Sequence, residues 1–466
     1  MAARTLARRT HNEAHDPARF SLEQTCPQQK EHMLATVGFT MIASFMLLIM
    51  LRKMSAVVAL VLVPIAFGVL AGFGPELGKM IGTGIIQVAP IGVTLMFAVL
   101  YFGLMLDVGL FDPLTRAMVR RVGSDPLRIA LATTLLSVLV AVDGDGTSTA
   151  LVVIGAFLPI YQRIGMSPLV LLTLLGLTNS IMNLTPWGGP VARAASALHL
   201  DPNDIFLPLI PAMGIACAGV FALAWRFGMN ERRRLGFATG KPDPVIDAQN
   251  ARPQQQADTP AGWRRYANIV LTLVVLALVF SRAVPLSVAF MAGSALALLL
   301  NFSSPAKQLV RLETHAHNCF FIILLIMSAG AFTGILNGTG MVDAMGRAMI
   351  NMIPAPAGPY MAIITAVLSM PLTFLMSNDA YYFGLLPILA KTGAAYGVPA
   401  VEIARASLLG IPVHTLSPLV ASFYLVTAML DLEIGPVQRF ALKWAVLCSL
   451  LLLAAAVLTG ALRVAG

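Results

Sequence analysis

Residues 142–149 read VDGDGTST, with Asp143 and Asp145 set between the apolar runs LRIALATTLLSVLVAV (127–142) and ALVVIGAFLPIY (150–161). Two carboxylates and two glycines inside so much oil decide the fold. The chain has 466 residues, of which 58% are hydrophobic and 11% charged. A soluble domain carries about 25% charged residues, so most side chains here must face lipid or one another. Many runs approach or reach about the 17–25 residues that cross a bilayer as helix, and none alternates as a β-barrel strand does. The chain therefore reads as an all-α polytopic membrane protein. Its net charge of +9 fits the Lys/Arg excess of cytoplasmic loops and does not call for a nucleic-acid surface. Cys26, Cys217, Cys319 and Cys448 show no metal or disulfide spacing.

Apolar segments fall at about 34–51, 55–73, 85–106, 127–142, 147–161, 170–190 and 205–226, then at 266–283, 285–301, 318–336, 360–376, 380–390, 403–424 and 439–463. Residues 1–32 are polar and lack the apolar core of a secretory signal. They read as a tail, with Met33 a candidate first residue. The expected organisation is a first transmembrane repeat at 33–228, a cytoplasmic linker at 229–265 and a second repeat at 266–466. Residues 103–118 (GLMLDVGLFDPLTRAM) and 334–349 (GILNGTGMVDAMGRAM) share six of sixteen positions at a fixed offset of 231. Duplication of this kind is a common plan of secondary transporters.

Segments 127–142 and 147–161 would rise about 22–24 Å as helix, short of a hydrocarbon core of about 30 Å. The expected construction is a re-entrant hairpin whose tip, DGDGT, ends within the membrane. Ser377, Asn378 and Asp379 form the matching tip in the second half. A hairpin that does not cross leaves five spans per half, so the halves would insert with opposite orientation. Placing the linker inside puts most Lys and Arg inside and both termini outside. FDPLTRAMVRRV (111–122) reads as an amphipathic arm along the interface.

Four constellations could carry chemistry. At the first tip, Asp143 and Asp145 need a counter-ion in oil; Gly144 and Gly146 expose carbonyls, and Thr147, Ser148 and Thr149 add hydroxyls, an oxygen set suited to a hard cation. Asp145 reads as the stronger of the two carboxylates; the plainer alternative is a helix cap. In NLTPWGGPVARA (183–194), Pro186, Gly188, Gly189 and Pro190 break a helix, and Asn183, Thr185 and the freed N–H groups suit a carboxylate. Arg193 is a possible anion anchor, and Trp187 reads as an interface anchor. The second tip adds Ser377, Asn378 and Asp379, with Tyr381 and Tyr382 as belt aromatics. The second break, GIPVHTLSPLV (410–420), offers His414, Thr415 and Ser417; His414 is either a proton carrier or a hydrogen-bonded structural residue. His315 and His317 are expected to face water. No Walker A or dinucleotide fingerprint occurs.

VLYFGLMLDVGLFDPL (99–114), VDGDGTSTALVVIGAFLPIY (142–161), GMSPLVLLTLLGLTNSIMNLTPWGGPVARAASAL (165–198), DPNDIFLPLIP (201–211) and SNDAYYFGLLP (377–387) resemble the citrate–metal:proton symporter family, CitMHS, of the ion transporter superfamily. The resemblance runs from Met33 to the C-terminus. It implies two inverted repeats of five transmembrane helices, each with a re-entrant hairpin and a broken helix, working as a homodimer with an elevator motion in the cell inner membrane. It implies import of citrate complexed to Mg²⁺ or Ca²⁺, sometimes Fe³⁺, driven by protons, with no tightly bound cofactor. His414 departs from the small or Asn, Gly or Val residues found there in the family. On this reading Gly144, Gly146, Thr147, Ser148, Asn183, Thr185, Gly188, Gly189, Ser377, Asn378, Thr415 and Ser417 bind substrate. Asp143, Asp145, Asp379 and His414 couple the proton or cation, with Asp145 and Asp379 meeting the metal through the citrate complex. The alternatives are another di- or tricarboxylate coupled to H⁺ or Na⁺ and, remotely, an intramembrane aspartyl protease using Asp145 and Asp379.

Overall fold

The computed structural model describes residues 17–236 and 262–465, with side chains from Gln29 onward. The first half contains α1 (Pro17–Met50), α2 (Ala56–Leu70), α3 (Leu77–Asp107), α4 (Asp112–Val122), α5 (Pro126–Val140), α6 (Gly146–Ile164), α7 (Pro168–Met182), α8 (Gly189–Leu198), α9 (Pro202–Phe206) and α10 (Ile210–Arg234). The second contains α11 (Gly262–Ser281), α12 (Leu286–Asn301), α13 (Pro305–Gly338), α14 (Met341–Met352), α15 (Met361–Leu375), α16 (Leu386–Ala395), α17 (Ala400–Leu408), α18 (Ile411–His414), α19 (Ala421–Met429) and α20 (Ile434–Leu458). A π-helical turn, Ala380–Leu385, leads into α16. Among the described residues there is no strand, and nine helices are long and apolar enough to cross a membrane. The chain is a multi-pass membrane protein.

Helix starts follow local chemistry. Ser55, Asp125, Asp145, Asp201 and Ser304 each cap a helix by accepting a backbone N–H within its first turn. Proline stands at the head of α5, α7, α9 and α13, where its missing N–H costs nothing.

The order of elements repeats. In each half a helix of more than thirty residues (α3 and α13) is followed by a short amphipathic arm (α4 and α14), then two helices joined at a tight tip, then an interrupted helix. Gly109 and Gly340, equivalent at the offset of 231, both adopt positive φ, +67° and +76°, where the long helix turns into the arm. An L-residue with a side chain is strained there, so the repeat is one of backbone geometry as well as letters.

Several boundaries differ from the sequence reading. Helix α1 is continuous across the 32/33 boundary, and Glu31 pairs with Arg347 of α14 at 3.1 Å. Residues 1–16 of the expected tail and 237–261 of the expected linker lie outside the described residues. The rest of that linker is the end of α10, a turn at Leu235 and Gly236, and the start of α11. The first hairpin's arms extend to Pro126–Asp143 and Gly146–Ile164, of 18 and 19 residues, because the helix carries on through Gln162 and Arg163. They rise about 27–28 Å, so length alone does not mark them as half-spans.

The halves meet where α3 crosses α13. A Cβ on Gly84 would lie 2.0 Å from the Gly330 carbonyl oxygen and 2.7 Å from Gly334 Cα, and one on Gly334 would lie 2.4 Å from the Met80 carbonyl oxygen. Small residues spaced by four let membrane helices touch backbone to backbone.

The base of the first hairpin is bolted to α10. Asp125 receives Arg232 through both nitrogens, with Nε at 2.6 Å, and also the Leu127 N–H at 3.0 Å. Buried Glu231 accepts the Ser167 N–H at 3.2 Å, and Arg234 donates to the Gly165 carbonyl at 2.6 Å. Burial pushes the Asp125 carboxyl up, but the Arg232 hydrogen bond, the Leu127 N–H and the charges of Arg232 and Arg128 together hold it below its usual 3.8.

Gly84→Val should abolish recovery of monodisperse protein on size exclusion, whereas Gly78→Ala, at an open position on the same helix, should leave it unchanged. A depressed folded-state value means the Asp125 contribution is complete above the unfolded carboxylate range and is lost as pH falls through it. The melting-temperature gap between the native protein and Asp125→Asn should therefore be constant above about pH 5 and narrow below that.

Candidate functional site

The first tip turns through Gly144, φ +75°. Asp145 caps α6: its Oδ1 accepts the Thr147 N–H at 3.1 Å, and its Oδ2 accepts the Ser148 N–H at 3.0 Å and the Ser148 hydroxyl at 2.6 Å. Asp145 is exposed and both its oxygens are engaged in the cap. Asp143, read as the weaker of the two, is the buried carboxylate, 5% exposed. Its Oδ1 accepts the Asp145 N–H at 2.9 Å and the Thr149 hydroxyl at 3.4 Å, while its buried Oδ2 has no partner in the protein. Sequence spacing could not rank them, because the order depends on which oxygen the N-terminus of α6 takes.

The first break packs onto this tip. Trp187 is buried, not an interface anchor: its Nε1–H donates to the Val142 carbonyl at 2.8 Å, and its ring meets Phe102, Phe280 and Phe290. A Cβ on Gly144 would lie 3.1 Å from Trp187 Cδ1 and 3.6 Å from Gly188 Cα. One on Gly146 would lie 2.8 Å from Asn179 Nδ2, and one on Gly188 would lie 2.0 Å from the Asn183 carbonyl oxygen. Gly144 lets the tip touch the break, Gly146 lets it approach α7, and Gly188 lets the break fold back on its own Asn183. Helix α8 then begins at Gly189 with Pro190 in its first turn, presenting a helix N-terminus to the same place.

The second tip reaches across to the first half. Arg193 of α8 donates from Nε to Asp379 Oδ1 at 2.7 Å and from Nη1 to the Gly189 carbonyl at 3.2 Å. The two charged side chains are 22% and 17% exposed. Removing one partner of a fully buried pair costs about 3–5 kcal/mol, and less here, where about a fifth of each side chain is exposed. Asp379 faces a guanidinium and Asp145 is committed to its own helix cap, so the two carboxylates do not pair with each other as in a protease dyad. Ser377 Oγ accepts the Ala380 N–H at 3.2 Å. Tyr381 and Tyr382 are fully buried and meet edge to face at 5.2 Å. They are not belt aromatics, because the π-helical turn carries them inward.

The second break serves the second hairpin. The last carbonyls of a helix have no partner within it; here His414 Nδ1–H donates to the Thr373 carbonyl at 2.6 Å and the Ser417 hydroxyl to the Phe374 carbonyl at 2.7 Å, closing the end of α15. The Thr415 hydroxyl donates to the Pro412 carbonyl within its own turn, at 2.9 Å. Of the alternatives for His414, the geometry supplies the hydrogen-bonded structural one. His315 is also engaged, its Nε2 lying 2.9 Å from Asp107 Oδ2.

Asp143 Oδ2, Asn179 Oδ1, Asn183 Oδ1, Thr185 Oγ1, Asn378 Oδ1 and the Tyr381 hydroxyl are buried without a protein partner. Each such atom costs about 1–3 kcal/mol, and these belong to the two tips, the first break and their immediate neighbours. The set is rich in oxygen acceptors, and its Asn378 is next in sequence to Asp379, the partner of Arg193. Asn179 was missed as a site residue because it sits within an apolar run, and Tyr381 because it reads as a belt aromatic. Among the described residues no three His, Cys, Asp or Glu side chains converge to hold a metal ion by themselves.

The family model CitMHS, "Citrate transporter", matches residues 45–410. A Bacillus subtilis (strain 168) protein named "Citrate transporter" is 45% identical over 428 residues, 92% of this chain and 99% of the relative. A second from the same organism, "Mg(2+)/citrate complex secondary transporter", is 43% identical over 433 residues, 93% of this chain and all of the relative. Among solved structures, the Alcanivorax borkumensis YdaH transporter superposes with TM-score 0.56 at 16% identity, covering 85% of this chain and 91% of its own. Neisseria gonorrhoeae MtrF gives 0.50 at 14%, covering 83% and 84%. These two share the fold.

Trp187→Phe keeps the ring but leaves the Val142 carbonyl without its donor. Thermal unfolding in detergent should show a loss of about 1–3 kcal/mol, and an unchanged melting temperature would show that this hydrogen bond does not hold the tip.

Proposed function

The chain belongs to the CitMHS family of citrate transporters, and we propose that it imports citrate as a divalent-metal complex by proton symport. Chelation lowers the charge of citrate from about −3 to about −1 near neutral pH, which a partly desolvated site tolerates better. The observation that carries the reading is the buried, unpartnered oxygens of the tips and first break, together with the Arg193–Asp379 pair that joins α8 to the second tip. The name of the 43% identical relative supports the chelate.

In the proposed mechanism the two halves insert with opposite orientation, and the two hairpins stop within the membrane. The N-terminus of α8, Asn183 and Thr185 hold carboxylate oxygens, with Gly188 and Gly189 keeping the backbone accessible. Backbone and hydroxyl groups of Gly144, Gly146, Thr147, Ser148, Ser377 and Asn378 complete the shell. Thr415 and Ser417 contribute chiefly by shaping the second hairpin. Asp143 is the foremost coupling group, since one of its oxygens is free to take a proton or face the cation. Mg²⁺ or Ca²⁺ travels as part of the cargo, with citrate supplying most of its ligands. The protein works as a homodimer in the cell inner membrane, and movement of the hairpin-bearing part alternates access.

Uptake of labelled citrate into proteoliposomes with Mg²⁺, Ca²⁺ or chelator, with and without an inward proton gradient, tests this. Metal-dependent, gradient-driven accumulation is expected. Full uptake with chelator refutes the chelate, and accumulation driven by Na⁺ alone refutes proton coupling and favours a carboxylate–Na⁺ carrier. Asp143→Asn should cut gradient-driven accumulation at least tenfold while its expression stays normal.

A further inference from the structure

We propose that Arg193 exchanges partners during transport: it holds Asp379 when the site is empty and a citrate carboxylate when the site is loaded, and the released Asp379 takes up a proton. This deepens the reading of the site as a citrate–proton symporter and rests on it.

The pair links the second hairpin tip to the first half through opposite charges, at 2.7 Å. Arg193 is anchored at a second point, the Gly189 carbonyl, so its guanidinium stays at the head of α8 when Asp379 leaves. That is where a carboxylate is drawn by the helix N-terminus. An incoming carboxylate offers Arg193 the same planar, charge-assisted geometry as Asp379, so the exchange leaves the arginine paired at every stage.

Asp379 has little water to fall back on, its side chain being 17% exposed. The second tip packs into the apolar cluster of Ile42, Phe45, Phe332 and Phe383 from α1, α13 and its own π-helical turn. Around it stand Arg193 from α8, His414 from α18 and the neutral phenols of Tyr381 and Tyr382. His414 commits its Nδ1–H to the Thr373 carbonyl. Without Arg193, a carboxylate in these surroundings is left uncompensated, and protonation removes the penalty. One carboxylate arrives, one carboxylate is neutralised and one proton is bound, so the local charge is conserved. By linkage the proton and the citrate complex then raise each other's affinity. An ion pair that only held the fold together would bind no proton on loading.

The measurement is calorimetric titration of the detergent-purified full chain with preformed Mg²⁺–citrate at pH 7.5, in buffers of different ionisation enthalpy, which yields protons bound per complex. Asp379→Asn is expected to bind the complex and to take up fewer protons than the native protein, by as much as one per complex. Arg193→Gln/Asp379→Asn, which leaves no orphan charge, is expected to fold and to bind at least tenfold more weakly than Asp379→Asn, or than the native protein if the single variant does not fold. An unchanged proton number in Asp379→Asn overturns the exchange. So does a double variant that binds within threefold of its reference, with the native proton number. Failure of the native protein to bind Mg²⁺–citrate refutes the cargo assignment instead, and the two failures are thereby distinguished.

Discussion

A backbone that stops being helical inside a membrane must find hydrogen-bond partners among its neighbours, since lipid supplies none. Two interruptions of the helices in this protein are closed in that way. The end of α15 is closed by His414 and Ser417 from the second break, and Val142 at the first tip is closed by Trp187 from the first break. Each interrupted helix lies against its own half's hairpin because each completes the other. Those polar side chains belong as much to the fold as to the cargo.

The bond between the halves has a different character. Along α3 and α13 it is backbone on backbone through Gly84, Gly330 and Gly334, a contact with few side-chain torsions to freeze and little room to slide. At the site it is a charge pair, Arg193 with Asp379. A packed crossing beside a charge pair suits a transporter, in which one part must hold its place in the bilayer while another responds to what is bound.

Much of this was legible in the sequence. Composition and unbroken apolar runs gave the class, and DGDGTST, SNDAYYF and the two Pro/Gly breaks marked the places where backbone leaves the helix. The duplication in 103–118 and 334–349 reappears as paired positive-φ glycines. What was not legible depended on direction. Asp143 and Asp145 look alike as letters, yet one is buried with a free oxygen and the other caps a helix. Trp187, Tyr381 and Tyr382 read as belt aromatics because Trp and Tyr favour the interface in general; only the tip-to-break packing and the π-helical turn show that they point inward. The pairing of Arg193 with Asp379 joins residues 186 apart, and no local pattern predicts it.

The two hairpins are not held alike at their bases. The first is riveted to α10 by half-buried charges, Asp125 with Arg232 and Glu231 with Arg234 and Ser167. The second leans on the arm α14 through Lys391 and Asp343, a pair half open to solvent and correspondingly weak. Doors of unequal stiffness swing at unequal speeds. Local opening of the first hairpin should then be slower than that of the second, a difference in tempo that ligand affinity alone would not reveal.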